Sequence, residues 1–494
     1  MTRRSVPVWL AILATSLPMF MASLDNLVVT SALPVLHEDL GAGIDQLQWF
    51  VNAYTLSFAT FMLLAVTFGD RFGRRRTFQV GITVFILSSA AAALSSDPLQ
   101  LIIARAVQGL GAAALLPLSL PLLIGAVPDR LRSLAIGVWG GVSGLGVALG
   151  PVIGGAIIDG WNWQTIFWIN VPLGIIAIPL VHFALGESFG AKVRPDIIGT
   201  VLAGVAVFGI VYGVVRGNDA GWTSAEVLTA LIGGGVLLVA FILRQRAASA
   251  PLLPLRLFAD RSFSVANVVG FTFSFGAFGS TFILIQFLQI VQGKTPLEAG
   301  LMTLPWTGLP MIVAPLAGLV APRVGTRALI VTGLLSLAAG LGWLASTMTA
   351  DAAFTTMLPG FLLAGLGMGL VFAPSSTAVL ANVRAADRAK ASGTNSTLRE
   401  IGVALGTAVL AAVFTGAGGQ LTPTGYVDAA IPAVFVGAAV VVLAAVIAMF
   451  LPAGRARTDA PAVSSGRDGG QADASADGRL RDPAADRATL TPAP

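Results

Sequence analysis

The chain has 494 residues, 55% of them apolar and only 11% charged, with a mean hydropathy of +0.85. Ordinary soluble domains carry about 25% charged residues, so this composition excludes a water-soluble enzyme and makes the hydrocarbon core of a bilayer the chain's main solvent. There is no Cys and only two His, His37 and His182, which excludes disulfides, thiolate metal sites and a histidine metal centre. A net charge of +5 would suggest nucleic acid only if the cations formed a patch, and their positions assign them to membrane topology instead.

Fourteen apolar stretches are long enough to cross roughly 30 Å of hydrocarbon as helix. The first, 8–33, follows Arg3 and Arg4 but lacks a small-residue cleavage site, so it reads as a retained helix and not a leader. It holds Asp25, about nine residues from its outer end and so ~13 Å deep at 1.5 Å per residue. An ionisable group at that depth is costly and is a functional candidate. Burial and nearby cations pull a carboxylate's proton affinity in opposite directions, so such a group can load a proton facing one side and release it facing the other. The alternative is an aspartate hydrogen-bonded to a neighbouring helix for packing alone.

The second span, 46–68, leads into the loop Asp70-Arg71-Phe72-Gly73-Arg74-Arg75. After the third, 77–96, the fourth, 99–122, carries Arg105 at a depth similar to that of Asp25. The two are candidates for an ion pair whose breaking changes the acid's hold on a proton; an Arg that bonds helix carbonyls is the competing reading. The fifth, 133–158, contains Gly141, Gly144, Gly146, Gly150, Pro151, Gly154 and Gly155. Small residues at helical spacing let helices approach closely in lipid, and Pro151 can bend the helix for gating. A phosphate-binding loop is excluded, since no strand precedes these glycines and no Lys-Ser/Thr follows.

The sixth span, 164–185, starts beside Trp161, Trp163 and Trp168, an interfacial belt. Then come 196–215 and 225–243, followed by 262–291, 297–320, 327–348, 353–380, 395–417 and 430–452. After the tenth span Pro322-Arg323-Val324-Gly325-Thr326-Arg327 repeats the Arg, Gly and Arg offsets of the loop at Asp70. With 196–243 set aside, the two loops occupy equivalent places in two six-helix halves, an arrangement that secondary transporters use around a midplane cavity. Polar and aromatic residues within spans, Asn26, Asn52, Tyr54, Asn267, Gln286, Gln289 and Trp306, either line that cavity or glue helices together. Asp196, Glu226, Glu400 and Asp428 are placed near helix ends, where they reach headgroups or water; Glu400 is also a candidate for a second proton.

With the amino terminus inside, 21 Lys and Arg fall on the cytoplasmic side and two, Arg216 and Lys294, on the other, with Arg105 and Arg399 in helices and four Arg in the distal tail. That bias fixes both termini as cytoplasmic. From residue 453 to 494 the chain turns rich in Ala, Asp, Gly, Pro, Ser and Arg, with six Arg and six Asp, and is expected to be a disordered cytoplasmic tail.

On these residues the chain resembles the 14-span drug/proton antiporters of the major facilitator superfamily, over about residues 8–452. Leu101 to Ala113 is similar to the family's fourth-helix motif, which implies that Arg105 takes part in proton transfer. Gly146, Gly150, Pro151, Gly154 and Gly155 resemble the fifth-helix motif of antiporters, and Asp25 with Val28-Val29 and Ala32-Leu33-Pro34 resembles the first-helix motif implicated in coupling. The segment Trp161–Gly174 is similar to one common in the 14-span branch. The loop Asp70–Arg75 resembles the superfamily's signature, in which the Asp is thought to cap a helix of the other half and hold the cytoplasmic gate closed. Here Val66 replaces the leading Gly, with Gly69 nearer the acid.

The expectation is therefore an all-α integral membrane protein of the major facilitator fold. Its parts are a six-helix half, 1–190; two additional helices, 191–250; a second six-helix half, 251–452; and the tail. The resemblance implies proton-coupled export of amphipathic drugs or antibiotics across the cytoplasmic (inner) membrane. Asp25 and Arg105 would act in coupling; Asp70, Arg71, Gly73, Arg74, Gly146, Gly150, Pro151 and Gly154 in gating; and Asn26, Asn52, Tyr54, Gln286, Gln289 and Trp306 in the cavity. No cofactor or metal, no nucleic acid and a monomeric state are expected, with a small amphipathic substrate, protons and the lipid bilayer as partners. The alternative is a symporter or uniporter of a small metabolite. An intramembrane enzyme is disfavoured because His-Glu-Xaa-Xaa-His, paired embedded aspartates and a Ser-His pair are all missing.

Overall fold

The computed structural model describes residues 7–190, 195–248, 251–384 and 387–452; the expected tail lies outside them. Sixteen α-helices follow one another: α1 (Val8–Leu40), α2 (Ile44–Phe72), α3 (Arg74–Ala93), α4 (Pro98–Ala126), α5 (Arg132–Gly160), α6 (Thr165–Trp168), α7 (Asn170–Ala184), α8 (Ile197–Ala220), α9 (Ala225–Ala247), α10 (Arg261–Gln286), α11 (Pro296–Gly308), α12 (Pro310–Val324), α13 (Thr326–Ser346), α14 (Phe354–Leu380), α15 (Arg388–Gly416) and α16 (Pro423–Ala448). They make 14 helical stretches long and apolar enough to span a membrane, because α6 with α7 and α11 with α12 each form one span. The second break falls at Pro310, which has no N–H to continue the helical ladder.

Polar caps start the spans where the chain enters them. Asp97 accepts from the Gln100 N–H at 3.0 Å ahead of Pro98, Asp260 from that of Phe263 at 2.8 Å, and Thr295 and Glu298 form a capping box at α11. Each satisfies helix donors that lipid cannot. Gly41, at φ +62°, ends α1 in the left-handed conformation that glycine adopts without strain.

α1 packs on α4, α5 and α7, and α3 on α4 and α7; α10 packs on α14, α15 and α16, and α13 on α14 and α16. Two seams join these groups, α5 against α11 and α2 against α15. α8 lies along the second seam, touching both α2 and α15, and α9 packs on α8.

The loops rich in arginine gather at one end, where Arg256 bridges to Asp387 at 2.6 Å and the Arg74 N–H donates to the Ser188 carbonyl at 2.9 Å. At the opposite end α5 and α11 are tightly closed. Gly155 leaves no room for a Cβ against Pro296 and Leu297, Gly300 none against Pro151, and the Leu297 N–H donates to Asp159 Oδ2 at 3.2 Å. Toward the Arg-rich end the two helices part. A Cβ at Gly144 would still reach Met311 at 3.9 Å, but Gly137 and Gly141 on the same face of α5, and Gly318 on α12, meet open space. The seam between α5 and α11–α12 is thus open at its Arg-rich end and closed at the other.

Candidate transport site

Asp25 lies midway along α1 and is 3% exposed. Its carboxylate is bonded by side chains from α4 and α7, and these are tied in turn to α3. Arg105 Nη1 of α4 donates to Asp25 Oδ2 in a fully buried ion pair. Gln108, one helical turn after Arg105, donates through Nε2 to Asp25 Oδ1 at 2.8 Å and accepts from Arg105 Nη1 at 2.6 Å. Asn170, the first residue of α7, donates through Nδ2 to Asp25 Oδ1 at 2.9 Å. Ser89 of α3 accepts from both amides, at 2.8 Å from Gln108 and 3.0 Å from Asn170.

The guanidinium is held by a backbone carbonyl and by aromatic rings as well as by Asp25 and Gln108. Arg105 Nε donates to the Phe50 carbonyl at 3.0 Å, and its Cζ stands 4.3 Å from the Tyr54 ring centroid and 5.8 Å from that of Phe167. Tyr54 in turn donates its hydroxyl to the Ala22 carbonyl at 3.3 Å. Two charges taken out of water are costly unless partners and hydrogen bonds offset the loss; here the carboxylate has three side-chain donor contacts, whereas Arg105 bonds through Nε and Nη1 and its buried Nη2 has no hydrogen-bond partner among the described residues. A proton arriving at Asp25 removes the charge that Arg105, Gln108 and Asn170 all address, so the protonation state of one carboxyl bears on the packing of four helices.

Both readings open for Arg105 are realised at once, since it pairs with Asp25 and bonds a helix carbonyl. Tyr54, expected in the cavity, stands instead under Arg105. Ser89 was not among the expected residues; Gln108 and Asn170 lay within recognisable segments but carried no role there. The available signals were the i, i+3 spacing of Gln108 from Arg105 and two consecutive serines, Ser88 and Ser89, in the apolar second half of α3.

Between the two seams lie small cavities. One is lined by Leu27, Val147, Phe278, Thr281, Trp306 and Thr307, the next by Asn26, Thr30, Val51, Phe282, Val403 and Thr407. Asn26 and Trp306 thus face the centre of the bundle. Asn52 is fully buried with neither amide atom bonded to protein, Gln286 donates to the Phe282 carbonyl of its own helix at 2.8 Å, and Gln289 ties the π-helical turn Phe287–Val291 to the Ser31 carbonyl of α1 at 3.0 Å.

Glu400 differs from its expected placement near a helix end. α15 begins at Arg388, so Glu400 is about twelve residues in, ~18 Å along the axis. Its Oε2 is buried with no partner in the protein, while the adjacent Arg399 stacks over the Phe372 ring at 4.0 Å.

The gating residues fall in two places. Arg74 Nε donates to Asp70 Oδ1 at 2.8 Å, and the Asp70 carbonyl accepts from the Gly190 N–H at 3.0 Å. Asp70 thus meets its own loop and the segment after α7 rather than a helix of the second group. Glu187 caps the start of α3, accepting from the Arg75 N–H at 2.9 Å, and Gly73 has no room for a Cβ against it. Arg71 is exposed, 5.4 Å from the Phe72 ring centroid. On α5, Gly146, Gly150 and Gly154 form one stripe against Ser23, Leu27 and Val28 of α1, where a Cβ would come within 2.8 to 3.0 Å. The Pro151 carbonyl accepts from Ser31 at 3.5 Å.

The Major Facilitator Superfamily profile matches residues 15–407 and 266–484. The chain is 37% identical over 406 residues to a protein of Mycobacterium tuberculosis (strain CDC 1551 / Oshkosh) named multidrug resistance protein Stp, covering 82% of this chain and 75% of the relative. It is 34% identical over 428 residues to the tetracenomycin C resistance and export protein of Streptomyces glaucescens, covering 86% and 79%. Among solved structures, a bacterial homologue of the human lysosomal transporter Spinster superposes with a TM-score of 0.65 at 15% identity, over 91% of this chain and 98% of that one. The chain belongs to the Major Facilitator Superfamily: it is a multi-pass membrane transporter of small molecules.

Proposed function

We propose that this transporter exports small amphipathic compounds in exchange for protons entering the cell, through alternating access of one central cavity. The observation that carries the proposal is the solvent-free Asp25 carboxylate, paired with Arg105 and bonded by Gln108 and Asn170. The names of the relatives, resistance and export proteins, support outward drug transport. The arginine bias supports an orientation with the Arg-rich end and both termini in the cytoplasm, across the cytoplasmic membrane; in that orientation the seam that is open at the Arg-rich end corresponds to an inward-facing state. Residues 1–190 and 251–452 act as the two moving halves, with 191–250 as an added helix pair.

In this state Asp25 is charged and clamps α1, α4 and α7 together through Arg105, Gln108 and Asn170. Once the cavity faces outward, a proton from the periphery neutralises the carboxyl, and Arg105 loses its partner and falls back on Phe50 and Tyr54. That loss repacks the clamp and favours return to the inward state, where Asp25 gives up the proton to the cytoplasm as substrate enters. One proton moves in as one substrate moves out, the minimum that a single carboxyl supports. Glu400, buried beside the seam, supplies a second proton site. Asn26, Asn52 and Trp306 contact substrate, and the glycine stripe of α5 is the surface on which α1 and α5 slide. No cofactor takes part, and the working unit is the monomer.

The test is resistance conferred on an export-deficient bacterial host by the wild type and by Asp25→Asn. The wild type is expected to raise the inhibitory concentration of at least one amphipathic antibiotic, and Asp25→Asn, present in the membrane at equal level, to confer none. Equal resistance from both would overturn the role of Asp25.

A further inference from the structure

α8 packs on α15 in the half of the bilayer remote from the Arg-rich end, where Val211 and Val215 meet Ala404 and Ala408, and Asn218 Nδ2 donates to the Thr415 hydroxyl at 2.6 Å. Toward the Arg-rich end the helices diverge, and between them opens a groove of about 240 Å³. Leu56, Ala59, Thr60 and Leu63 of α2 form its floor, with Ala203 of α8, Phe241 and Ile242 of α9, Leu252 and Leu253 of the linker, and Leu398 of α15 as its walls. The groove is largely apolar and shares no lining residue with the small central cavities.

Two cations stand beside its lining residues, while the carboxylates at the same end, Asp196 and Asp387, are taken up by Arg244, Arg256 and Arg384. Arg246 is one turn beyond Ile242 on the same face of α9, and Lys390 one turn before the lining residue Thr394 on α15. Lys390 Nζ donates to the Pro251 carbonyl at 3.4 Å, beside the lining Leu252. Among the described residues neither cation has a carboxylate within 4.0 Å, whereas Arg244 and Arg256 at the same end are paired with Asp196 and Asp387. The linker is itself fixed, since the Leu253 N–H donates to Gln245 Oε1 at 3.1 Å and Gln245 bonds Asp196 at 2.9 Å. An apolar slot at the Arg-rich end of a membrane-spanning bundle, with two cations lacking a carboxylate partner one turn beyond its lining residues, is complementary to an acyl chain bearing an anionic head.

We infer that the groove between α8–α9 and the α2–α15 seam binds an anionic glycerophospholipid of the Arg-rich leaflet, acyl chain against Leu63, Phe241 and Leu398, phosphate beside Arg246 and Lys390. The site is independent of Asp25 and of proton exchange. The experiment is native mass spectrometry of the full-length protein, delipidated and then incubated with phosphatidylglycerol or with phosphatidylcholine of identical chains. The wild type should keep at least one phosphatidylglycerol at collision energies that strip phosphatidylcholine. The double variant Arg246→Gln/Lys390→Gln should lose that preference, and Ala203→Phe, which fills the slot, should lose the retained lipid of either kind. Equal retention of the two lipids by the wild type, or phosphatidylglycerol held as firmly by the double variant, would overturn the assignment. Both altered head-contact residues lie at the groove mouth rather than in the core, so the double variant tests the site whether or not Ala203→Phe folds.

Discussion

At the scale of single residues, Arg105 does more than neutralise Asp25. Its fork reaches Asp25, Gln108 and Phe50 at once while its plane lies against Tyr54, a set that a lysine's single ammonium cannot reproduce. Arg105→Lys is expected to fold but to slow exchange by about tenfold or more, the equivalent of one charge-assisted hydrogen bond of ~1.5 kcal/mol; transport rates in reconstituted vesicles check this. The importance of Asp25 and Arg105 was legible in the sequence because charge at membrane depth is rare and costly. Their partners were not, since Ser89, Gln108 and Asn170 are ordinary polar residues whose convergence depends on how α3, α4 and α7 cross. Glu400 was misplaced for a simpler reason. The polar first turns of α15, Arg388 to Asn395, look like a loop by hydropathy, although they are helix.

Whole elements are positioned by backbone contact and by caps. Gly155 lets α5 touch α11 at the closed end, so Gly155→Val should prevent that closure and leave the far end accessible, read as reagent access to a cysteine placed at Ala299, which is 1% exposed here. At the start of α8 burial alone would raise the Asp196 carboxyl, but the Gly199 N–H, Arg244 and Gln245 outweigh it and hold it below its ordinary value. A carboxylate so depressed contributes stability that is complete above its unfolded pKa, about 3.9, and is lost as pH falls through the lower folded value. Asp196→Ala is therefore expected to cost about 1–3 kcal/mol at neutral pH, and thermal melts should show the gap to wild type narrowing as pH falls below the unfolded carboxyl's range, about 3.9. The spans themselves were legible, all 14 of them, because lipid demands long apolar helices. The division of the tenth span at Pro310 and the short α6 were not, since hydropathy does not register a break that neighbouring helices cover.

For the whole molecule, the arrangement of seams defines a state. α5 and α12 stand apart at the Arg-rich end, while α5 and α11 are sealed at the other. The chain has no native Cys, so single cysteines report cleanly. Gly141→Cys should react with a maleimide added from the Arg-rich side, and Ala299→Cys should be protected, with the pattern reversing when substrate and a proton gradient drive the cycle. A repeated loop and a basic side were visible in the sequence, but which end is open was not, because both states bury the same apolar residues and differ only in the pairing of helices.

The most direct test of proton exchange through Asp25 uses inside-out vesicles with an acid interior, carrying either the wild type or Asp25→Asn, while amphipathic cations and neutral antibiotics are added in turn. The account predicts that some of these compounds collapse the pH gradient in wild-type vesicles and none does so in the Asp25→Asn vesicles. Substrate uptake by the wild type with no loss of the gradient, or an equal collapse in the variant, would contradict it.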